Sequence, residues 1–148
     1  MKRISEIVRI IVCLAVILAP AASAADLPRI IKIGGQGVTS GAHADYGRQM
    51  IMGATLAIDE INAAGGILGS KLEMKFMDSE LKPSVAIKNA RHMVQEWGAH
   101  LLFGVDSSGV CMQVGPVLPE LDRVQIFCHA ATEKLTEKLV YEKGIKNI

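Results

Sequence analysis

The sequence predicts an α/β fold: a doubly wound, mostly parallel sheet with helices on both faces. Two observations carry that prediction. Strand-like apolar runs and helix-periodic runs alternate from Arg29 to Lys143, the order that buries a parallel sheet between helix layers. No internal repeat, low-complexity tract or long linker breaks the alternation.

Arg29–Gly34 reads as the first strand, with Ile31 and Ile33 on one face and Ile30 and Lys32 on the other. From Tyr46 the period lengthens. Met50, Ala54, Ala57, Ile58 and Ile61 recur at three and four residues, the stripe of a helix with one buried face. Asn62-Ala63-Ala64-Gly65-Gly66 ends it, in the manner of a glycine helix stop. Leu72, Met74 and Phe76 alternate with Glu73 and Lys75, a second strand closed by Asp78. Pro83 opens the next helix, where its missing N–H forfeits no bond. Ala86, Ala90, Met93, Val94 and Trp97 form the buried stripe of that helix. Leu101–Val105 is apolar throughout and reads as a third strand buried on both faces. Gly109–Leu121 reads as a third helix bent at Pro116, Val124–Cys128 as a fourth strand, and Thr132–Lys143 as a final helix.

In open parallel sheets, ligands sit beyond the carboxyl ends of the strands, near the switch in strand order. Position alone therefore nominates four loops: Gln36–Asp45, Ser79–Lys82, Asp106–Ser108 and His129–Ala131. Gly35-Gln36-Gly37 invites a phosphate-cradle reading, and spacing rejects it. A dinucleotide fingerprint is G-x-G-x-x-G with the helix opening inside the motif. Here Ser40 holds the third glycine's place and the helix pattern starts only at Tyr46. Asp78 lies about twice the usual ~20 residues beyond the glycines.

The later loops suit a different grip. Ser107 and Ser108 stand where strand three gives way to helix three, so hydroxyls and helix-start amides meet there, as an anion such as a carboxylate requires. Ala130-Ala131-Thr132 follows strand four with two small residues and one hydroxyl, letting a ligand approach the backbone. Taken singly, Ser108 and Thr132 read as helix caps and Tyr46 as a packed aromatic. Their convergence on one edge of one sheet favours a binding site.

The amino terminus carries a separate message. Lys2, Arg3 and Arg9 precede an uncharged run from Ile10 to Ala19, then Pro20 and Ala22-Ser23-Ala24. This is the pattern of a secretory signal peptide, residues 1–24, cleaved after Ala24. The apolar run falls short of the ~20 residues that span a bilayer. The protein is therefore expected to be exported to the periplasm. Cleavage removes Lys2, Arg3, Arg9 and Glu6 and takes the formal charge from +1 to −1. Without a basic block, nucleic acid is not an expected partner. Cys111 and Cys128 remain, and an oxidising compartment permits pairing; without a dense cysteine framework they read as buried thiols. His43, His92, His100 and His129 are too scattered to suggest a metal site, and no nucleophile–base spacing suggests catalysis. Neither cofactor nor metal is expected.

The stretch "IKIGGQGVTSGAHADYGRQMIMGATLAIDEINAAGGILGSKLEM" resembles the opening of the leucine/isoleucine/valine-binding protein family, periplasmic solute receptors of ABC transporters with a type I two-lobe fold. "AIDEINAAGGILG" is its most specific phrase, and "FGVDSSG" and "CHAATEKLT" continue it. The resemblance implies that Ser107, Ser108 and Gly109 hold a ligand's carboxylate and ammonium groups. It implies that Ala130, Ala131 and Thr132 complete that grip, and that Tyr46 lies against the ligand's side chain. It further implies a small-molecule ligand (an amino acid or an organic or aromatic acid), a membrane ABC permease as partner, and no catalysis. Residues 25–148 are then expected to form the N-terminal part of ligand-binding lobe 1, with the second lobe absent.

Two positions depart from the pattern. Asp106 places a negative charge beside the carboxylate grip, to pair with a ligand ammonium or to face solvent. His129 stands where the family often has proline or a small residue; with His43 across the cleft it suits an aromatic or organic acid. Two other readings are an extracellular ligand-sensing domain of a receptor and an exported α/β enzyme. The export reading is checked by the intact mass of the secreted protein, expected to match a chain starting at Ala25. A cytoplasmic protein retaining Met1 removes it.

Overall fold

The computed structural model describes residues 27–148, so the signal-peptide reading and Cys13 lie outside the described part. Four strands form one sheet: β1 (Ile30–Gly37), β2 (Lys71–Asp78), β3 (Leu101–Gly104) and β4 (Gln125–Ile126). Their order is β2-β1-β3-β4, and every neighbouring pair is parallel. The chain leaves β1 to one side and then crosses to the other, so the switch in strand order falls between β1 and β3. The principal helices are α1 (Ala44–Ala63), α2 (Pro83–Arg91, prolonged by a π-helical turn at His92–Glu96) and α3 (Ser108–Val114). A short helix α4 (Leu118–Leu121) precedes β4, and a π-helical segment, Leu135–Glu142, follows it.

The expected parallel sheet with helices on both faces is what forms. A Cβ at Gly34 would meet Leu102 and Met93, whereas one at Gly35 would meet Phe76 and Phe103. Alternate residues of a strand face opposite sides, so α2 with Met93 covers one side of β1. Met50 of α1 lies 3.2 Å from the Cβ position of Gly37, on the Gly35 side. The two faces are unequal. On the α2 side, Ala86, Ala90, Met93, Leu102, Val110, Val114 and Leu118 join Leu135 and Leu139 in one continuous core. On the α1 side only the first turns of the helix are buried, at Ala44, Gly47 and Met50.

Several boundaries differ from the sequence expectation. β1 continues through Gly37 in register with Asp78, so Gln36 is a fully buried strand residue and not part of a loop. Close packing explains the glycines that disguised this. The Cβ position of Gly35 lies 2.5 Å from the Phe76 ring and 2.6 Å from the Phe103 ring, a slot that only glycine leaves open. α1 begins at Ala44, after a 3₁₀ turn at Gly41–His43, and not at Tyr46. Ala57 faces solvent although the periodicity put it in the stripe. The third helix breaks at Pro116 as expected, into α3, a 3₁₀ turn at Gly115–Val117, and α4. β4 keeps two residues of the five expected, and the final helix starts at Leu135 and not Thr132. Among the described residues the two cysteines are free; Cys111 is buried, whereas Cys128 is exposed against expectation.

Gly35→Val is expected to destabilise the fold by about 1–3 kcal/mol, the usual cost of overpacking a filled core. Gly53→Ala, in α1 with open space around the added methyl, is expected to stabilise by about 0.5–1 kcal/mol. Urea midpoints of the two variants check both signs.

Candidate functional site

The carboxyl end of β1 is fastened from both sides. Asp106, just past β3, accepts a hydrogen bond from the Val38 N–H at 2.5 Å. Asp78, at the end of β2, accepts one from the Thr39 N–H at 3.0 Å and a second from the Glu80 N–H at 2.9 Å. The backbone adds Ser79 N–H to Gly37 C=O at 2.9 Å and Val105 N–H to Gln36 C=O at 2.7 Å. Asn89 of α2 donates to the Asp78 carbonyl at 2.7 Å. The start of α1 joins the same knot: Gly47 N–H donates to Val38 C=O at 3.0 Å, and a Cβ at Gly47 would sit 2.2 Å from that oxygen. Glycine is thus required where the helix touches the strand end, one residue beyond Tyr46.

Backbone strain collects at the same edge. Glu80, Leu81 and Val105 have positive φ, at 50°, 54° and 66°. For the β-branched Val105 this is a rare conformation. Such residues cost about 1–3 kcal/mol each and persist where the surroundings over-determine them. Here the clamped ends of β1, β2 and β3 supply that constraint.

A cleft of about 370 Å³ opens above these strand ends, lined by Val38, His43, Tyr46, Leu81, Asp106, Ser107 and His129. Tyr46 is 53% exposed. Its ring centroid lies 6.2 Å from that of His43 and 6.1 Å from that of His129. A second hollow shares Ser107 and Leu81 and adds Pro83, Gly109, Val110 and Gln113. A separate groove runs beside α2, lined by Met77, Ile87 and His92 among others.

The structure therefore brings Tyr46 and Ser107 into one cleft and Gly109 into its neighbour. Ser108 is the first residue of α3, and neither it nor Ser107 makes a side-chain capping bond there. Ala130 packs partly against the core. Thr132 accepts a long hydrogen bond from the Lys134 N–H at 3.3 Å, a local turn contact. Ala130, Ala131 and Thr132 do not line the cleft. Val38 and Leu81 also line it; both fall inside the nominated loops Gln36–Asp45 and Ser79–Lys82, although neither was singled out. Asp106 does more than face solvent or await an ammonium: its carboxylate holds the Val38 amide. Among the described residues, no group of three or more His, Cys, Asp or Glu residues is placed to hold a metal ion, and no helix is long and apolar enough to cross a membrane.

A family model described as a periplasmic binding protein matches residues 30–142. The chain belongs to the periplasmic binding protein family. Within it, the chain is 33% identical over 109 residues to the Leu/Ile/Val-binding protein BraC3 of Rhizobium johnstonii, covering 74% of this chain and 28% of that protein. It is 31% identical to a Leu/Ile/Val-binding protein homologue of Brucella melitensis, covering 80% of this chain and 30% of that one. Among solved structures, it resembles a Streptococcus pneumoniae branched-chain amino acid transporter substrate-binding protein in complex with isoleucine. That likeness has a TM-score of 0.70 and 31% identity, over 76% of this chain and 32% of that one. It also resembles a Rhodopseudomonas palustris solute-binding protein in complex with 4-hydroxybenzoate, with a TM-score of 0.68 and 26% identity, over 76% and 30% of the two chains. The chain thus spans less than a third of the length of the family members it matches.

Asp78 gives the site a pH signature. Burial pushes its carboxyl up, but hydrogen bonds from the Ser40 hydroxyl and the Thr39 and Glu80 amides outweigh this, leaving its pKa below the ordinary 3.8. A carboxylate with a depressed folded pKa contributes stability that is fully present above its unfolded value and lost as pH falls through the folded one. Urea denaturation across acid pH is therefore expected to show wild type more stable than Asp78→Asn above about pH 3.8, with the gap closing below it. A gap that stays constant through that range removes Asp78 as a charged clamp.

Proposed function

We propose that this protein is the extracytoplasmic solute-binding component of an ABC importer, and that residues 25–148 form the N-terminal part of its first ligand-binding lobe. The observation that carries this reading is the cleft at the switch in strand order, where Tyr46 and Ser107 face one another's loops in a chain of the periplasmic binding protein family. The solute is a small carboxylate, either a branched-chain amino acid or an aromatic acid, the two kinds held by the related proteins. Ser107, Ser108 and Gly109 hold its carboxylate with hydroxyl and backbone groups. Ala130, Ala131 and Thr132 complete the grip when the cleft closes, and Tyr46 lies along the remainder of the solute.

In this reading the site works by closing on its solute. The cleft is open, and a small solute gains affinity when both of its faces lose water. In this reading a second lobe supplies the opposite wall, and the closed form docks on a membrane permease. The role is binding and delivery, without chemistry on the solute.

Titration calorimetry on the full-length protein, with both lobes of this reading present, tests the grip. Ser107→Ala and Thr132→Ala are each expected to weaken binding of a small carboxylate by about 1–3 kcal/mol, the range for a lost hydrogen bond to a charged group. Unchanged affinity in both variants removes these loops from the site.

A further inference from the structure

We infer that His43 and His129 set the specificity of this cleft, and that its solute is a hydroxylated aromatic carboxylate and not a branched aliphatic amino acid. The inference rests on the solute-binding reading above and names the substrate class of that same site.

His43, Tyr46 and His129 come from the 3₁₀ turn, the first turn of α1 and the loop after β4, yet they form one row of rings. Tyr46 stands between the imidazoles at 6.2 and 6.1 Å, tilted by 39° to His43 and by 78° to His129. Aromatic pairs attract at centroid separations of about 4.5–7 Å in tilted or edge-to-face geometry, so the three rings support one another as a single wall. All three residues are exposed, and all line the cleft. The remaining lining residues are Asp106, Ser107, Leu81 and a Val38 that is only 3% exposed. Leu81, half-buried, is thus the one accessible aliphatic side chain among the lining residues.

That composition discriminates between the two solute kinds. A leucine or isoleucine side chain pressed against this wall would strip water from two imidazoles and a phenol while offering them no hydrogen bond, which is unfavourable for each group. A planar ring presents both a face and an edge to the row, matching its mixture of tilted and edge-on surfaces. A hydroxyl on that ring exchanges hydrogen bonds with imidazole nitrogens, which both donate and accept. The carboxylate at the other end of such a solute remains available to Ser107 and the start of α3.

The deciding experiment is titration calorimetry of the full-length wild-type protein, both lobes included, with two probes, 4-hydroxybenzoate and L-isoleucine. 4-Hydroxybenzoate is expected to bind at least tenfold more tightly. In the His43→Leu/His129→Leu double variant, checked for a native-like circular dichroism melt, that preference is expected to fall by tenfold or more. Should the variant fail to fold, the wild-type ratio still decides. Equal or tighter binding of L-isoleucine by wild type overturns the inference and leaves the solute-binding reading standing. Binding of neither probe overturns both.

Discussion

Two carboxylates holding two consecutive amides organise this molecule. Asp106 and Asp78 come from the strands on either side of β1 and accept from Val38 and Thr39, where β1 has run out of sheet partners. A strand end leaves N–H groups that must find partners or water, and bonds to a charged acceptor are stronger than neutral ones. The loops after three adjacent strands are therefore fixed relative to one another. Gly47, pressed on the Val38 carbonyl, adds the start of α1. The positions of Tyr46, Leu81 and Ser107 are consequences of that knot, and so is the strained backbone at Glu80, Leu81 and Val105.

The rest of the fold is distributed unevenly around this edge. The α2 and α3 side carries a continuous apolar core running from Ala86 to Ile145. The α1 side is anchored near the site by Ala44, Gly47 and Met50; farther along, Ala54, Ile58 and Ile61 are only half-buried, and Met52 and Leu56 on the outer face are 64% and 62% exposed. Parallel sheets are ordinarily covered on both faces. The firmest packing thus lies behind the sheet, and the helix that presents Tyr46 is fully buried only at its first turns.

Much of this was legible in the sequence. The helix stripe Ala86–Ala90–Met93, the third strand and the parallel order follow from periodicity, because burial and side-chain geometry act on neighbouring residues. The β1 boundary was not legible, because Gly35 and Gly37 look like a turn when read alone. They are strand residues, and Phe76, Phe103 and Met50 from distant segments crowd the space their side chains would take. The clamp was hidden for the same reason: Asp106 and Val38 are 68 residues apart. Of the residues that line the cleft, Ser107, Val38 and Leu81 fall in loops nominated by position, whereas Tyr46 was singled out at the helix start and Gly109, in the neighbouring hollow, through the family resemblance. Val38 and Leu81 could not be singled out within their loops, since only the tertiary fold turns them toward the cleft.

One further contact bears on how this sheet behaves in company. Asn62, in the last turn of α1, uses its side-chain amide as a strand would use its backbone: its Nδ2 donates to the Leu72 carbonyl at 2.9 Å, and its Oδ1 accepts from the Leu72 N–H at 2.8 Å. β2 is an outer strand of the sheet, and an unpaired outer strand is a template for another chain. By occupying both groups of Leu72, one side chain imitates the next strand and ends the ladder there. The helix that delivers Tyr46 to the cleft at its first turn thereby guards the sheet against self-association at its last.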